Sequence, residues 1–210
     1  MIKNVVFDAG QVMVRFDPWY MTGKYIHDPG DVTLVASVLF DRLYWDRLDA
    51  GTITDEEVMR LSKQRIPERL WEAAEQVYYN WIHHIPTIEG MEELVLRVRE
   101  EHGKRVFLLS NICTYFSDRA ELFPWLQLFE DCIFSAACGH FKPNRDMFEY
   151  LCSRCDILPE ETVFIDDNPV NIAAAEAFGI RGCGYAYVSD RVAKMYHHKL
   201  SAKPEKEWEL

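Results

Sequence analysis

The sequence predicts an α/β protein: a parallel β-sheet with helices on both faces, and a small helical cap inserted directly after the first strand. Three observations carry that expectation. Five short β-like runs recur along the chain, helical patterns separate the later ones, and the stretch from about Asp17 to Pro86 has helical pattern with no clear strand. The chain has 210 residues, enough for one sizeable core plus a modest insertion. Hydrophobic residues make up 49% and aromatics 13%, a composition that buries a core and leaves little room for disorder.

Val5-Val6-Phe7 is the first predicted strand. Arg105 to Leu109, Cys132 to Ala136, Val163 to Ile165 and roughly Gly182 to Val188 supply the others. Glu89 to Glu101 reads as a helix, because Met91, Leu94, Val95 and Val98 recur on one face, and Gly103 is placed to stop it. A second helix spans about Arg145 to Cys155 with Asn144 as its N-cap. A third follows Asn168-Pro169, an N-cap residue before a proline at the first helical position, and Gly179 stops it. Within the insertion, Thr54 and Glu57 have the spacing of a capping box after a turn at Gly51. Val77, Tyr78, Trp81 and Ile82 mark another helix ending near Pro86, and Phe16-Asp17-Pro18 reads as the hinge into the cap. The expected division is a core of residues 1–16 and 87–210 and a cap of residues 17–86. No internal repeat appears, and the polar tail after Ser189 carries Trp208 as its late aromatic.

Charge and composition narrow the function classes. There are 23 basic and 34 acidic side chains, a net charge of −11, with no Lys/Arg-rich stretch to serve as a nucleic-acid footprint. The apolar runs fall far short of the ~20 residues a membrane span requires. The opening MIKNVVFDAG has no signal-peptide character, so the expected location is cytoplasmic; the sequence leaves monomer and homodimer both open. In a reducing compartment the six cysteines serve as small buried apolar residues, Cys152-x-x-Cys155 included; Cys113 alone lies close enough to a strand end to be either a reactive thiol or a packed one. Trp19, Tyr20, Tyr44 and Trp45 read as core aromatics of the cap, with stacking on a ligand as the alternative. His83-His84 and His197-His198 lack a supporting acid cluster and read as surface or boundary residues.

Ligands of open α/β sheets bind beyond the carboxyl ends of the strands. After the first strand comes Asp8-Ala9-Gly10-Gln11-Val12, after the second Ser110-Asn111, after the third a loop with Gly139, Lys142 and Pro143, and after the fourth Asp166-Asp167-Asn168. An acid, a hydroxyl, a cation and an acid pair thus converge from four separated segments. In its four motifs, FDAGQV, LLSN, GHFKP and FIDDNPVNI, the chain resembles the haloacid dehalogenase (HAD) superfamily over nearly its full length. The D-x-G-x-V form of the first motif resembles the branch that includes bacterial α-glucose-1-phosphate phosphatases.

The resemblance implies a Rossmann-like core and a magnesium-dependent phosphatase acting on a small phosphorylated metabolite such as a sugar phosphate. Asp8 would be a carboxylate nucleophile forming an aspartyl phosphate. Ser110 and the Asn111 backbone N–H would hold phosphate oxygens, and Lys142 would offset the charge of nucleophile and phosphate. Asp8, the Gly10 carbonyl and Asp167 would ligate Mg2+, with Asp166 holding a metal-bound water; the reverse assignment of the acid pair stays open. Most phosphatases of the family carry a second aspartate where this chain has Gly10. That group is worth ~10²–10⁴-fold as a general acid and base, so Gln11, Asp17 or a cap residue is expected to handle the water. Gly10 also leaves a catalytically silent binding protein as a competing function. The retained acid pair counts against a dehalogenase.

Overall fold

The computed structural model describes residues 1–185, so the expected strand end at residues 186–188, the polar tail, His197 and His198 lie outside the described residues. In chain order the core begins with β1 (Asn4–Phe7). The insertion follows with α1 (Pro18–Thr22), α2 (Pro29–Leu39), α3 (Arg42–Asp49), α4 (Asp55–Lys63) and α5 (Trp71–Asn80). The core resumes with α6 (Met91–Glu100), β2 (Arg105–Ser110), α7 (Thr114–Ser117), β3 (Asp131–Phe134), α8 (Ser135–Cys138), α9 (Arg145–Cys155), β4 (Thr162–Asp166), α10 (Pro169–Phe178) and β5 (Arg181–Gly184).

The five strands form one parallel sheet in the order β3-β2-β1-β4-β5. Successive side chains of a strand point to opposite faces, and both faces are apolar. Val5, Phe7, Leu108 and Ile165 pack with α6 and the insertion, whereas Val6, Phe107, Leu109 and Phe164 pack against Met147, Phe148 and Leu151 of α9. Helix cover on both sides explains why the strands read as continuous hydrophobic runs. The chain order reverses direction across β1, with β2 on one flank and β4 on the other. Phe7 pairs with Leu108 and with Ile165, so the residues just after β1, β2 and β4 emerge side by side.

Local chemistry sets the helix ends. Asp17, Asp28 and Asp41 cap α1, α2 and α3 by accepting from Tyr20, Asp31 and Leu43 N–H groups. Thr54 caps α4 by accepting from Glu57 N–H at 3.2 Å, but the reciprocal half of the expected capping box is not made, because the Glu57 carboxylate is drawn to Arg60 at 2.7 Å. Asn144 stands at the N-cap of α9 without a side-chain bond, and Asn168 caps α10 through Val170 N–H. Gly179 ends α10 at φ 108°, a conformation that suits glycine.

Two further expectations need correction. The third strand stops at Phe134; Ser135 and Ala136 turn into α8, a four-residue helix ended by Gly139 at φ 76°. Trp19 and Tyr20 are exposed, because the short α1 buries its Met21 and Thr22 face instead; Tyr44 and Trp45 are buried as expected. The chain enters and leaves the insertion side by side: Arg15 N–H donates to Pro86 O at 2.9 Å and Ile88 N–H to Met13 O at 2.9 Å.

Candidate active site

The four strand-end segments meet at the carboxyl edge of the sheet. Asp8 follows β1 directly, and its N–H donates to Ile165 O at 2.8 Å, which places it beside the end of β4. The chain then folds back tightly: Met13 and Val14 N–H both donate to Ala9 O, and Gln11 N–H donates to Val14 O. Gln11 sits at φ 55°, a left-handed conformation that costs a non-glycine residue ~1–2 kcal/mol. Its side-chain amide donates to Phe16 O at 2.7 Å, which helps offset that cost.

Lys142 is the hub. Its ammonium, buried at 3% exposure, donates to Asp166 Oδ2 at 2.7 Å, to Asp8 Oδ1 at 2.9 Å and to Leu109 O at 2.9 Å. All three of its protons are therefore matched. Burial alone would depress its pKa, but Asp8 and Asp166 outweigh burial and hold it above its ordinary value, so it stays charged. Asn111 fixes the lysine from behind: its side-chain Nδ2 donates to Lys142 O at 2.7 Å and its Oδ1 accepts from Lys142 N–H at 2.8 Å. The sequence singled out the Asn111 backbone; the side chain proves to be a clamp between the second and third motifs. Ser110, at the end of β2, lines the same cavity.

The acid pair divides. Asp166 is fully buried, and both its oxygens are occupied, by Lys142, by the Asn168 N–H at 2.7 Å and by the Asn171 amide at 3.1 Å. Asp167 is half-buried and faces the cavity; burial first, then the charges of Asp8 and Asp166, push its carboxyl up to about 7 against the pull of Lys142. Oxygens of Asp8, Asp166 and Asp167 lie within 4.8 Å of one another. Three carboxylates thus face one ammonium, and a divalent cation with a preference for hard oxygen ligands would offset the excess. The donor set fits magnesium.

Two residues in this arrangement escaped the sequence reading. Asn171 was embedded in the fourth motif, one turn into α10, and its grip on Asp166 follows from that spacing. Asp49, at the end of α3, lines the cavity with no motif to announce it. Conversely, Asp17 is committed to capping α1 and is absent from the cavity wall. Cys113 is buried, and burial pushes its thiol up to about 12, which makes it a packed and unreactive group.

The cavity above Asp8 has a volume of about 670 Å³. Its floor is the strand-end cluster and its far wall is aromatic. Phe16 meets Phe40, Trp45 and Trp81 edge-on at centroid distances of 5.7, 5.2 and 5.7 Å, and Phe40 stacks on Trp45 at 5.3 Å. Trp45 is pinned by its indole N–H, which donates to Leu39 O at 2.8 Å. Among the described residues no helix is long and apolar enough to cross a membrane.

A family model for haloacid dehalogenase-like hydrolases matches residues 3–179. A sesquiterpene phosphatase of Aspergillus oryzae is 25% identical over 181 residues, covering 86% of this chain and 88% of that protein. A D-ribitol-5-phosphate phosphatase of Bacteroides thetaiotaomicron is 23% identical over 190 residues, with 85% and 89% covered. Among solved structures, a HAD family enzyme from Bacteroides thetaiotaomicron in complex with magnesium and inorganic phosphate superposes with a TM-score of 0.68 at 20% identity, over 90% of this chain and 97% of that one.

Proposed function

The chain belongs to the haloacid dehalogenase-like hydrolases, and from that premise we propose that it is a magnesium-dependent phosphatase working through an aspartyl phosphate on Asp8. The observation that carries the proposal is the buried Asp8–Lys142–Asp166 ion cluster opening onto a cavity that Ser110 and Asp167 also line. Asp8 Oδ1 is held by Lys142 and by the Ala9 N–H at 2.7 Å, which leaves Oδ2 as the attacking atom. Ser110 supplies a hydroxyl donor to a phosphoryl oxygen. Lys142 acts on the phosphoryl group chiefly by charge, because its protons already have acceptors. Asp8, the Gly10 carbonyl and Asp167 would hold Mg2+, which supplies charge neutralisation at the transferring group. Asp166, with both oxygens engaged, holds Lys142 in place and suits a metal-bound water better than direct ligation.

Residues 17–86 are taken as the cap that confines the leaving group and residues 1–16 and 87–210 as the core. The substrate is a small phosphorylated metabolite. A sugar phosphate such as glucose 1-phosphate fits the D-x-G-x-V motif, since an anomeric phosphate leaves without much protonation. A second reading is favoured by the aromatic wall of Phe16, Phe40, Trp45 and Trp81: a phosphomonoester of an apolar alcohol, whose buried leaving group would gain ~25 cal/mol per Å² of apolar area covered.

The test is a panel of phosphomonoesters, sugar and apolar, with and without magnesium. Metal-dependent phosphate release that Asp8→Asn abolishes supports the assignment. A silent binding protein would bind phosphomonoesters without turnover, and a dehalogenase would release halide from 2-haloacids without metal; either outcome replaces it.

A further inference from the structure

The site has a nucleophile, a cation and a place for a metal, but the position two residues beyond Asp8 is Gly10. A Cβ built there meets nothing within 4 Å, so the space is open to the cavity and no neighbouring side chain fills it. Of the groups close in sequence, Gln11 spends its amide on Phe16 O and Asp17 spends its carboxylate on Tyr20 N–H. Four carboxylates line the cavity: Asp8, Asp46, Asp49 and Asp167. Asp8 and Asp167 belong to the nucleophile and metal cluster. Asp46 is exposed and paired with Arg42 at 2.8 Å.

Asp49 remains. It is half-buried, and among the described residues its carboxylate has no hydrogen bond and no ion pair. Its backbone, by contrast, is fastened to the core. Asp49 O accepts from Ser135 Oγ at 2.6 Å, and Ser135 Oγ in turn accepts from Ile112 N–H at 2.9 Å. The end of α3 is thereby tied to the loop after β2 and to the start of α8, the segments that also carry Ser110 and lead to Lys142.

We propose that Asp49, carried into the cavity by the helical insertion, is the general acid and base that Gly10 cannot be. The proposal rests on the phosphatase reading. In the first step Asp8 Oδ2 bonds to phosphorus, the bond from phosphorus to the leaving oxygen breaks, and Asp49 gives that oxygen its proton. In the second step the Asp49 carboxylate takes a proton from water, the water oxygen bonds to phosphorus, and the bond from phosphorus to Asp8 breaks. Inorganic phosphate leaves and Asp49 is protonated again.

The surroundings suit that duty. Burial pushes the Asp49 carboxyl up to about 7, opposed by Arg42 and Lys142 and reinforced by Asp46 and Asp8. Of the other titratable groups around it, Cys113 is neutral at these pH values, its thiol pushed up to about 12 by burial, and Arg42 and Lys142 are cationic. Asp167, pushed up to about 7 without metal, would be held ionised by the magnesium present in the assay. A carboxyl poised near neutrality both gives and takes a proton with little cost.

The experiment compares wild type with Asp49→Asn in magnesium, using benzyl phosphate and p-nitrophenyl phosphate. Benzyl alcohol needs a proton to leave, whereas p-nitrophenolate does not. The expected result is a loss of ~10²-fold or more with benzyl phosphate. With p-nitrophenyl phosphate, one equivalent of nitrophenolate per enzyme appears in a burst and turnover then slows, because the phosphoaspartate accumulates. The limb of the kcat/KM pH profile near neutrality disappears with the carboxyl. Adding Gly10→Asp to Asp49→Asn, a change with room for its side chain, restores benzyl phosphate turnover and so separates a lost proton carrier from a damaged fold. Benzyl phosphate turnover within threefold of wild type would overturn the assignment, as would loss of the burst along with turnover, which would make Asp49 a substrate-positioning residue. A wild-type enzyme that hydrolyses no phosphomonoester, or one that survives Asp8→Asn, instead removes the phosphatase reading beneath it.

Discussion

Replacing Lys142 by methionine tests the electrostatic centre of the molecule. The ammonium lies 2.7 Å from Asp166 and 2.9 Å from Asp8, and the three residues are 3%, 0% and 7% exposed. Methionine keeps most of the volume of the side chain and deletes the charge. Two carboxylates then remain buried with no cation between them. Breaking a buried pair by removing one partner costs ~3–5 kcal/mol. With a urea m-value of ~3 kcal/mol/M for a protein of this size, the unfolding midpoint falls by roughly 1–2 M. The loss depends on pH. Without the lysine, the folded-state carboxylates titrate above their unfolded values, so the folded protein binds protons more tightly than the unfolded chain. The deficit is therefore full above those raised pKa values and shrinks as pH falls toward ~4. Urea unfolding of wild type and Lys142→Met at pH 8 and pH 4.5, in EDTA so that no metal substitutes for the ammonium, measures both terms. Adding Asp166→Asn removes one of the stranded charges and recovers part of the loss. A deficit under 1 kcal/mol at pH 8, or one equal at both pH values, refutes the ion-cluster account.

Three further outcomes follow from the geometry. Asp49→Asn stabilises the protein by ~1–3 kcal/mol at pH 8, because a carboxyl raised from 3.8 to about 7 makes its ionisation unfavourable in the folded state; the gain accrues between those two values and vanishes near pH 4, as thermal unfolding across pH will show. Magnesium at a hundred times its Kd stabilises wild type by ~2.7 kcal/mol, and Asp167→Asn cancels most of that shift; an unchanged shift in differential scanning fluorimetry would remove Asp167 from the metal site. Asn111→Ala leaves the Lys142 N–H and C=O without their side-chain partners, a cost of ~1–3 kcal/mol, and turnover falls with stability; a fully active, fully stable variant would show that the clamp holds nothing.

Much of the core was legible because its signals are local. Strand ends at Asp8, Ser110 and Asp166 are marked by apolar runs meeting polar residues, and Asn168-Pro169 and Gly179 bracket a helix by backbone chemistry alone. The strand-to-helix turn at Ser135 was not legible, because Ser-Ala-Ala-Cys suits either state and Gly139 decides it from the far side. The partition of the acid pair was also hidden. Which of Asp166 and Asp167 keeps free oxygens depends on Asn171 and Lys142, partners 5 and 24 residues away from Asp166. Asp49 was invisible for a stronger reason. Its importance comes from an unpaired carboxylate in a shared cavity, and a missing partner leaves no trace in a sequence. The exposure of Trp19 and Tyr20 likewise reflects which side of a five-residue helix meets the core.

One apolar cluster runs without a break from the sheet into the insertion. Phe7, Leu108 and Ile165 share it with Met21, Leu39, Trp45, Val77 and Trp81. Excising the inserted helices would remove part of the cover from one face of the sheet, leaving α6 and the segment after β2 to cover the rest, and would take from the helices the apolar surface they pack on. Heat or denaturant should then melt both parts in a single transition. Evolution, or an engineer, seeking a new leaving-group preference would find no detachable cassette to exchange here, and must instead recut the aromatic wall one side chain at a time.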